Sequence, residues 1–392
     1  MNDMRRILLI LIGALSFCSA SSLPTVGRHT LWYTEPAKAW MTSCLPIGNG
    51  QFGATVMGGV ECDEIQFNDK TLWRGSVGSN VDNSLYGTYL NFGYLRIKQL
   101  ENRAGTYSDY IRTLDLDKAV AAVAYTANGV RYQCEYIASY PDDVVAIKYT
   151  ASKKGSISVC LSLDNVNGRQ EDVSYTKDKK RSGYAEMNGT AVRIGDAKEN
   201  ESYWCGLRVV ADGGQVSAKK DGIYVDGATA MVVYLRGMTN FDASNDNYLS
   251  DAANLPSRVN KVLDNAMRKG YANIRKEHIK DYESLAERCR LHLSDGGTND
   301  MPTPRLISEY ANNPSMLLLE ELYFTYGRYL LISSSRGVDL PANLQGIWNN
   351  SDKAGWNSDI HSDINVQMNY WLAESTNLSE LHMPFLNYVH RE

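Results

Sequence analysis

The strongest constraint in this sequence is a change of texture near Leu255. From Leu31 to Val233 the apolar residues fall in short runs. Ile65-Gln66-Phe67, Val130 to Tyr136, Val144 to Tyr149, Ile157 to Leu163 and Met231 to Leu235 are typical. Such runs alternate or are wholly apolar, favour Val, Ile and Tyr, and are separated by Gly, Asp and Asn, so they predict strands at close spacing. Many of them in succession predict a large antiparallel sandwich. The polar stretch Asn165 to Arg181 reads as a long loop or hairpin excursion, and no fixed-period repeat stands out.

After Leu255 the spacing becomes helical. Val259, Val262, Leu263, Ala266 and Met267 form one stripe, and Ile274, Ile279, Tyr282, Leu285, Ala286 and Cys289 continue it past Gly270. This reads as a helical linker ending at Asp295-Gly296-Gly297. Pro314-Ser315 is then expected to cap a helix from Met316 to about Ser335, stopped by Gly337. Its apolar residues lie almost all round, which predicts burial on most sides. Further helices are expected from Asn365 to Glu374 and from Pro384 onward. The last residues, His390-Arg391-Glu392, fall inside a helical pattern, and the expectation is a chain cut short. With 392 residues, two to three domains are expected. We place them at 24–255 (sandwich), 256–298 (linker) and 299–392 (helical).

The N-terminus predicts export. Arg5 and Arg6 precede the apolar run Ile7 to Leu15, and Cys18-Ser19-Ala20 supplies small residues for cleavage. Residues 1–20 therefore read as a signal peptide cut after Ala20, giving a periplasmic or secreted chain. Cys18 makes a lipoprotein the alternative, with Phe17 a poor neighbour for that processing. No later segment combines membrane-spanning length with freedom from charge, so no membrane span is expected. The other cysteines, Cys44, Cys62, Cys134, Cys160, Cys205 and Cys289, show no CxxC pair and no zinc spacing, and are expected as scattered buried thiols. With 40 basic and 45 acidic residues the net charge is -5, which argues against a nucleic-acid partner.

Gly48-Asn49-Gly50-Gln51-Phe52-Gly53 matches GxGxxG, but Pro46 precedes it and a strand-like run follows. A tight glycine loop between strands is expected there, not a dinucleotide site. No GxSxG, HExxH or Walker sequence occurs. The densest chemistry lies between Leu340 and Glu380. Gln345, Trp348 and Trp356 are residue types that contact sugars: rings stack on the apolar face of a pyranose and amides bond its hydroxyls. His361, Asp363 and Asn365 are spaced by two, so an extended segment would point all three to one side, and a helix would scatter them. The competing reading has Asp363 capping the next helix and His361 as a surface loop residue.

Several motifs together resemble glycoside hydrolase family 95. Leu31-Trp32-Tyr33, Glu35-Pro36-Ala37, Leu45-Pro46-Ile47-Gly48-Asn49-Gly50 and Asn68-Asp69-Lys70-Thr71-Leu72-Trp73 resemble its N-terminal region. Asp281-Tyr282 with Leu285 and Arg288 resembles its linker, and Leu340 to Trp348 with Met368 to Trp371 the start of its catalytic domain. The resemblance implies a multidomain fold: an antiparallel β-super-sandwich, a helical linker, an (α/α)6 barrel and a C-terminal β-domain. Here only the first helices of an incomplete barrel are expected. It implies exo-acting α-L-fucosidase activity on a fucosylated oligosaccharide or glycan, or α-L-galactosidase activity, by inversion. The acid Glu and base Asp are implied later in the barrel. The resemblance also implies a water-orienting pair in an Asn-Ile-Asn run, which here reads Asp363-Ile364-Asn365: Asn365 matches and Asp363 departs. His361 matches a substrate-contacting histidine. No metal or organic cofactor is expected. The alternatives are a non-catalytic glycan-binding protein and a sugar phosphorylase. The latter would need a cationic phosphate site that these loops do not show.

Overall fold

The computed structural model describes residues 24–75, 87–101, 107–164, 172–177, 182–191, 200–293 and 298–391. The signal segment with Cys18, part of the Asn165–Arg181 excursion and Asp295-Gly296-Gly297 lie outside the described residues.

The strands run β1 (Thr30–Tyr33), β2 (Leu45–Gly48), β3 (Phe52–Val56), β4 (Cys62–Asp69), β5 (Trp73–Arg74), β6 (Thr88–Tyr89), β7 (Gly93–Gln99) and β8 (Tyr107–Asp115). They continue as β9 (Val120–Ala127), β10 (Val130–Ser139), β11 (Val144–Ala151), β12 (Ile157–Asp164), β13 (Asp172–Lys177), β14 (Ser182–Ala191), β15 (Glu201–Lys219) and β16 (Gly222–Thr239). All but the small β5–β6 pair join one antiparallel sheet, ordered β1-β8-β9-β10-β11-β16-β12-β7-β4-β3-β2, with β15, β14 and β13 branching from β16. β16 makes the branch possible. Its first half, from Ile223 to Ala228, pairs β12, and its second half, from Ala230 to Leu235, pairs β11. The sheet folds over so that β10 and β11 lie against β2 and β3, and the apolar strand faces fill the space between. β13 falls inside the polar Asn165–Arg181 stretch and pairs β14, as a hairpin excursion would.

The helices are α1 (Trp40–Ser43), α2 (Leu255–Lys269), α3 (Tyr271–Ala286), α4 (Thr303–Tyr310), α5 (Leu318–Ser334), α6 (Asn365–Ser375) and α7 (Met383–Arg391). Gly270, at φ 77°, separates α2 from α3 in a backbone region that glycine enters without strain. The apolar stripe Leu255, Val259, Leu263 and Ala266 packs on the outer face of β15, β16 and β11, in one cluster with Val144, Ala146, Val232 and Tyr234. This second layer explains why β11 is apolar on both faces. A Cβ on Gly206 would stand 2.5 Å from Leu263 Cδ1 and 3.0 Å from Val259 Cγ1, so a side chain there would push these helix residues aside.

The helical segment is bolted to the sandwich and to α3 by charge and hydrogen bonds. Arg28 grips the fully buried Glu321 through Nε (2.8 Å) and Nη2 (2.9 Å), a bidentate geometry that fixes direction as well as distance. Tyr329 donates its hydroxyl to Pro46 O (2.6 Å), and Arg336 pairs with Asp281 at 2.7 and 2.9 Å. Arg328 is buried and donates to the carbonyls of Leu285, Ala286, Cys289 and Thr376. A cation on those carbonyls also opposes the negative end of α3.

Two expectations for this region need correction. The cap position of α5 is Leu317, with no side-chain cap, so Ser315 does not serve. Nor is α5 covered on most sides: Tyr323 is 81% exposed, and Leu318, Leu319, Tyr326 and Leu330 are only partly buried. Among the described residues no helix is long and apolar enough to cross a membrane. The six cysteines described are all unpaired; Cys134 and Cys205 are buried and the others half-buried.

Candidate active-site loops

The loop after α5 is held from below by the sandwich. Lys70 is buried and donates to Leu340 O at 3.1 Å. Tyr89 donates to Ile347 O (2.7 Å), and Trp348 Nε1 donates to Ile47 O (2.9 Å). Asn349 N donates to Asn68 Oδ1 (3.0 Å), while Asn68 Nδ2 and Gln66 Nε2 both donate to Asn349 O, at 3.0 and 2.8 Å. Asn49 and Gly50 form the expected tight loop between β2 and β3, with Gly50 at φ 98° and Gly50 N donating to Ser333 O (2.8 Å). The glycine motif therefore receives a helix end and not a phosphate.

From α6 the loop is held by Tyr370, whose hydroxyl accepts from Ala342 N (2.8 Å), and by Asn369 Nδ2, which donates to Asn343 O (3.2 Å). Asn343 and Gly346 exchange backbone bonds of 3.0 Å in each direction. Gly346 sits at φ 74°, and a Cβ there would lie 2.8 Å from Trp348 Cζ3, so both backbone and packing require glycine. Asn343 Oδ1 accepts from Gln345 N (2.8 Å) and Ser358 Oγ (3.2 Å). Asn343 Nδ2 and Gln345 Oε1 remain buried without a partner among the described residues. These leave one donor and one acceptor of the loop with hydrogen-bonding capacity unused.

The structure separates the residues that sequence grouped as sugar contacts. Trp348 is 5% exposed and anchors the loop to β2. Trp356 is 78% exposed and lies in a run, Trp356-Asn357-Ser358, with φ of 47°, 57° and 47°. Three consecutive non-glycine residues in the left-handed region store strain, which persists only where surroundings impose it and often marks functional loops. His361 Nδ1 contacts the Asp359 carboxylate. A carboxylate accepts, so Nδ1 carries the proton and the tautomer is set by Asp359.

Asp363 and Asn365 are both exposed. The segment is neither extended nor wholly helical: Ser362 to Ile364 form a turn and α6 begins at Asn365. Asp363 does not cap α6; the cap position is Ile364, at φ 84°, with no side-chain bond. A β-branched residue at that angle is strained, and it separates the two candidate residues. Ile364, Met368 and Trp371 continue from it as an exposed apolar row at helical spacing. Glu374, another carboxylate of this region, is engaged by Ser379 Oγ (2.6 Å) and His382 (3.0 Å), and these bonds hold its pKa below the usual range. No cluster of metal-binding side chains occurs among the described residues. Sequence reading missed Asn343, Ser358 and Asp359; the amide-rich spacing was visible, but which atoms stay open was not.

A model described as glycosyl hydrolase family 95 catalytic domain matches residues 270–392. One described as glycosyl hydrolase family 65, N-terminal domain, matches residues 31–85 and 78–244. "Alpha-L-fucosidase 2" of Arabidopsis thaliana is 31% identical over 419 residues, covering 92% of this chain and 48% of that protein. "Probable alpha-fucosidase A" of Aspergillus niger is 29% identical over 430 residues, covering 97% of this chain and 52% of that protein. The chain thus spans about half the length of these curated relatives. A solved structure named as a kojibiose phosphorylase from human microbiome aligns with TM-score 0.51 at 11% identity, over 77% of this chain and 41% of that one; it shares the fold, an antiparallel sheet domain followed by helices. With the catalytic-domain model on the loops just described and fucosidases among its relatives, the chain belongs to glycoside hydrolase family 95.

Proposed function

We propose that these loops form part of the active site of an exported, exo-acting α-L-fucosidase that works with inversion. The observation that carries the reading is the pair of unpartnered buried groups, Asn343 Nδ2 and Gln345 Oε1, on the loop that the family 95 model covers. The names of the curated relatives supply the sugar. Exposed Trp356 offers a ring for a pyranose face, and His361, its Nδ1 held by Asp359, turns Nε2 toward a hydroxyl. The basic, apolar and small-residue opening supports export.

Inversion needs one carboxylic acid to protonate the leaving oxygen and one carboxylate to activate water on the opposite face. In this reading both come from later in an (α/α)6 barrel, and Asn365 orients the water. Asp363 would then place a second carboxylate near the base, raising the pKa of one of them. Purified residues 21–392 should bind L-fucose by ligand-observed NMR and prefer it to D-glucose. The Trp356→Ala variant should bind several-fold more weakly. Turnover of 2′-fucosyllactose by residues 21–392 should fall on the order of 10⁴-fold below that of a family member with acid and base in place. In a complete enzyme Asn365→Ala should lower kcat by about 10²-fold, because its bond to the water strengthens in the transition state. Lack of L-fucose preference, or an unchanged kcat in Asn365→Ala, would sink the reading.

A further inference from the structure

The Asp359 carboxylate contacts Nδ1 of His361, and the backbone around the pair is fixed. Asp359 is extended, with φ -82° and ψ -176°. Its side chain and that of His361, two residues on, therefore leave the chain on one side, while Ile360 between them packs against the core. Asp359 O accepts from Leu344 N (3.1 Å) and Asp359 N donates to Trp356 O (3.2 Å). At the other end His361 O accepts from Val366 N (2.9 Å), in α6. The left-handed run before Asp359 is tied down by Ser358 Oγ on Asn343 Oδ1 (3.2 Å). Carboxylate and imidazole thus meet on a segment held at both ends.

Two other histidines among the described residues hold a carboxylate on Nδ1, and neither is placed to meet a ligand. His29 bonds Asp117 (3.0 Å) but is buried. His382 bonds Glu374 (3.0 Å), and its ring lies nearly parallel to those of Tyr370 and Phe385, at centroid distances of 5.5 and 5.9 Å. The His361 side chain is 32% exposed, and its Nε2 is unpartnered among the described residues and open to solvent. A carboxylate only accepts, so Nδ1 keeps the proton and the neutral ring offers a lone pair at Nε2. Without that partner a neutral histidine side chain favours the tautomer with the proton on Nε2, and the ring would donate instead of accept.

We infer that Asp359 is a positioning residue of the proposed fucose site: it holds His361 as a hydrogen-bond acceptor, so the sugar must present a free hydroxyl to Nε2. The inference rests on the fucose reading and narrows its substrate class. A hydroxyl donates to a lone pair, whereas an ether or ester oxygen in the same place has no proton to give. A fucosyl residue that is deoxygenated, methylated or acylated at that one hydroxyl leaves Nε2 unpaired under the ligand, and a site built to bond a hydroxyl discriminates strongly against an analogue that lacks it.

Nitrogen-15 NMR of the full chain over a pH series reads the tautomer without ligand, with the His361 signals identified by their loss in His361→Ala. In the neutral ring Nδ1 should carry the proton in the parent chain, and Asp359→Ala should move it to Nε2. Affinities for methyl α-L-fucoside, from ligand-observed NMR, then close a double-mutant cycle. Asp359→Ala and His361→Ala should each weaken binding by about threefold to tenfold, the scale of one hydrogen bond. Asp359→Ala should cost less than about twofold once His361 is alanine, because its effect runs through that ring. An aspartate that only braced the loop would cost the same in both backgrounds. Among monodeoxy analogues of the fucoside, one should lose at least about threefold in the parent chain and almost nothing in His361→Ala. The inference is overturned if Nδ1 of the neutral ring lacks the proton in the parent chain, if Asp359→Ala leaves the tautomer unchanged, or if the two costs add in full. A parent chain that binds no fucoside overturns the fucose reading and this inference together, whereas additive costs in a chain that does bind overturn this inference alone.

Discussion

Lys70 offers the sharpest test of how the sandwich holds the loop after α5. Its ammonium is fully buried and donates to Leu340 O at 3.1 Å. Burial pushes its pKa down from 10.5 to about 7, and the charges of Asp69 and Asp339 only partly oppose this. In the unfolded chain the side chain titrates near 10.4. Below about pH 7 both states are charged, and Lys70 adds no pH dependence. From pH 7 up to about 10 the unfolded state binds more protons, so the contribution of Lys70 to stability rises with pH. Over two units this is about 2–3 kcal/mol, at roughly 1.4 kcal/mol per unit. Lys70→Met removes the titration and keeps most of the volume. Urea unfolding of both proteins at pH 6 and pH 9 isolates the effect, because every other group cancels in the difference. The stability of Lys70→Met relative to the parent should fall by about 2–3 kcal/mol between those pH values. A difference that stays flat within about 0.5 kcal/mol would refute the burial argument.

Asn68→Ala leaves Asn349 N and Leu90 O without their partners inside the protein, and should cost about 2–5 kcal/mol in urea unfolding, at roughly 1–3 kcal/mol for each buried group. A loss under about 1 kcal/mol would mean that water replaces the amide. Asp63 is pushed up to about 6 by burial, against the bonds from Tyr136 and Gly58. Its folded form holds a proton that the unfolded form loses first, so its contribution falls as pH rises from about 4 to 6 and stays lost above that. Asp63→Asn should therefore gain on the parent by up to about 3 kcal/mol between pH 4 and pH 7, measured by the same unfolding assay. An unchanged gap between the two proteins would remove the burial account.

The parts of this fold that are legible in the sequence are those whose cause is local. Gly270 breaks the helical stripe because its own backbone angle demands it, and the stripe on either side names the buried face of α2. The alternation in Val130 to Tyr136 likewise states which side chains of β10 face the core. The turn from Ser362 to Ile364 has no such signal. Nothing in Ser-Asp-Ile favours a left-handed isoleucine, and the angle is imposed by what surrounds it. The spacing of His361, Asp363 and Asn365 therefore invited an extended segment that the chain does not form.

Trp348 shows the same limit from the other side. A tryptophan among amides has the composition of a sugar site, and the exposed Trp356 fits that description. What removes Trp348 from the surface is a carbonyl, Ile47 O, that lies far away in sequence, together with the glycine at 346 that gives its ring room. The Asn68-Asp69-Lys70 run has a matching history. In the sequence it marks only a family. In the structure Asn68 receives Asn349, Asp69 neutralises Arg236, and Lys70 holds Leu340. Motifs on the sandwich and motifs on the loop are thus two halves of one contact. A substitution in the first should move the second, and the cost of Asn68→Ala combined with Gln66→Ala should differ from the sum of the two by more than about 0.5 kcal/mol in urea unfolding, because both amides donate to Asn349 O and Gln66 Nε2 also donates to Asn68 Oδ1; a sum that holds within that margin would mean that the two amides act independently.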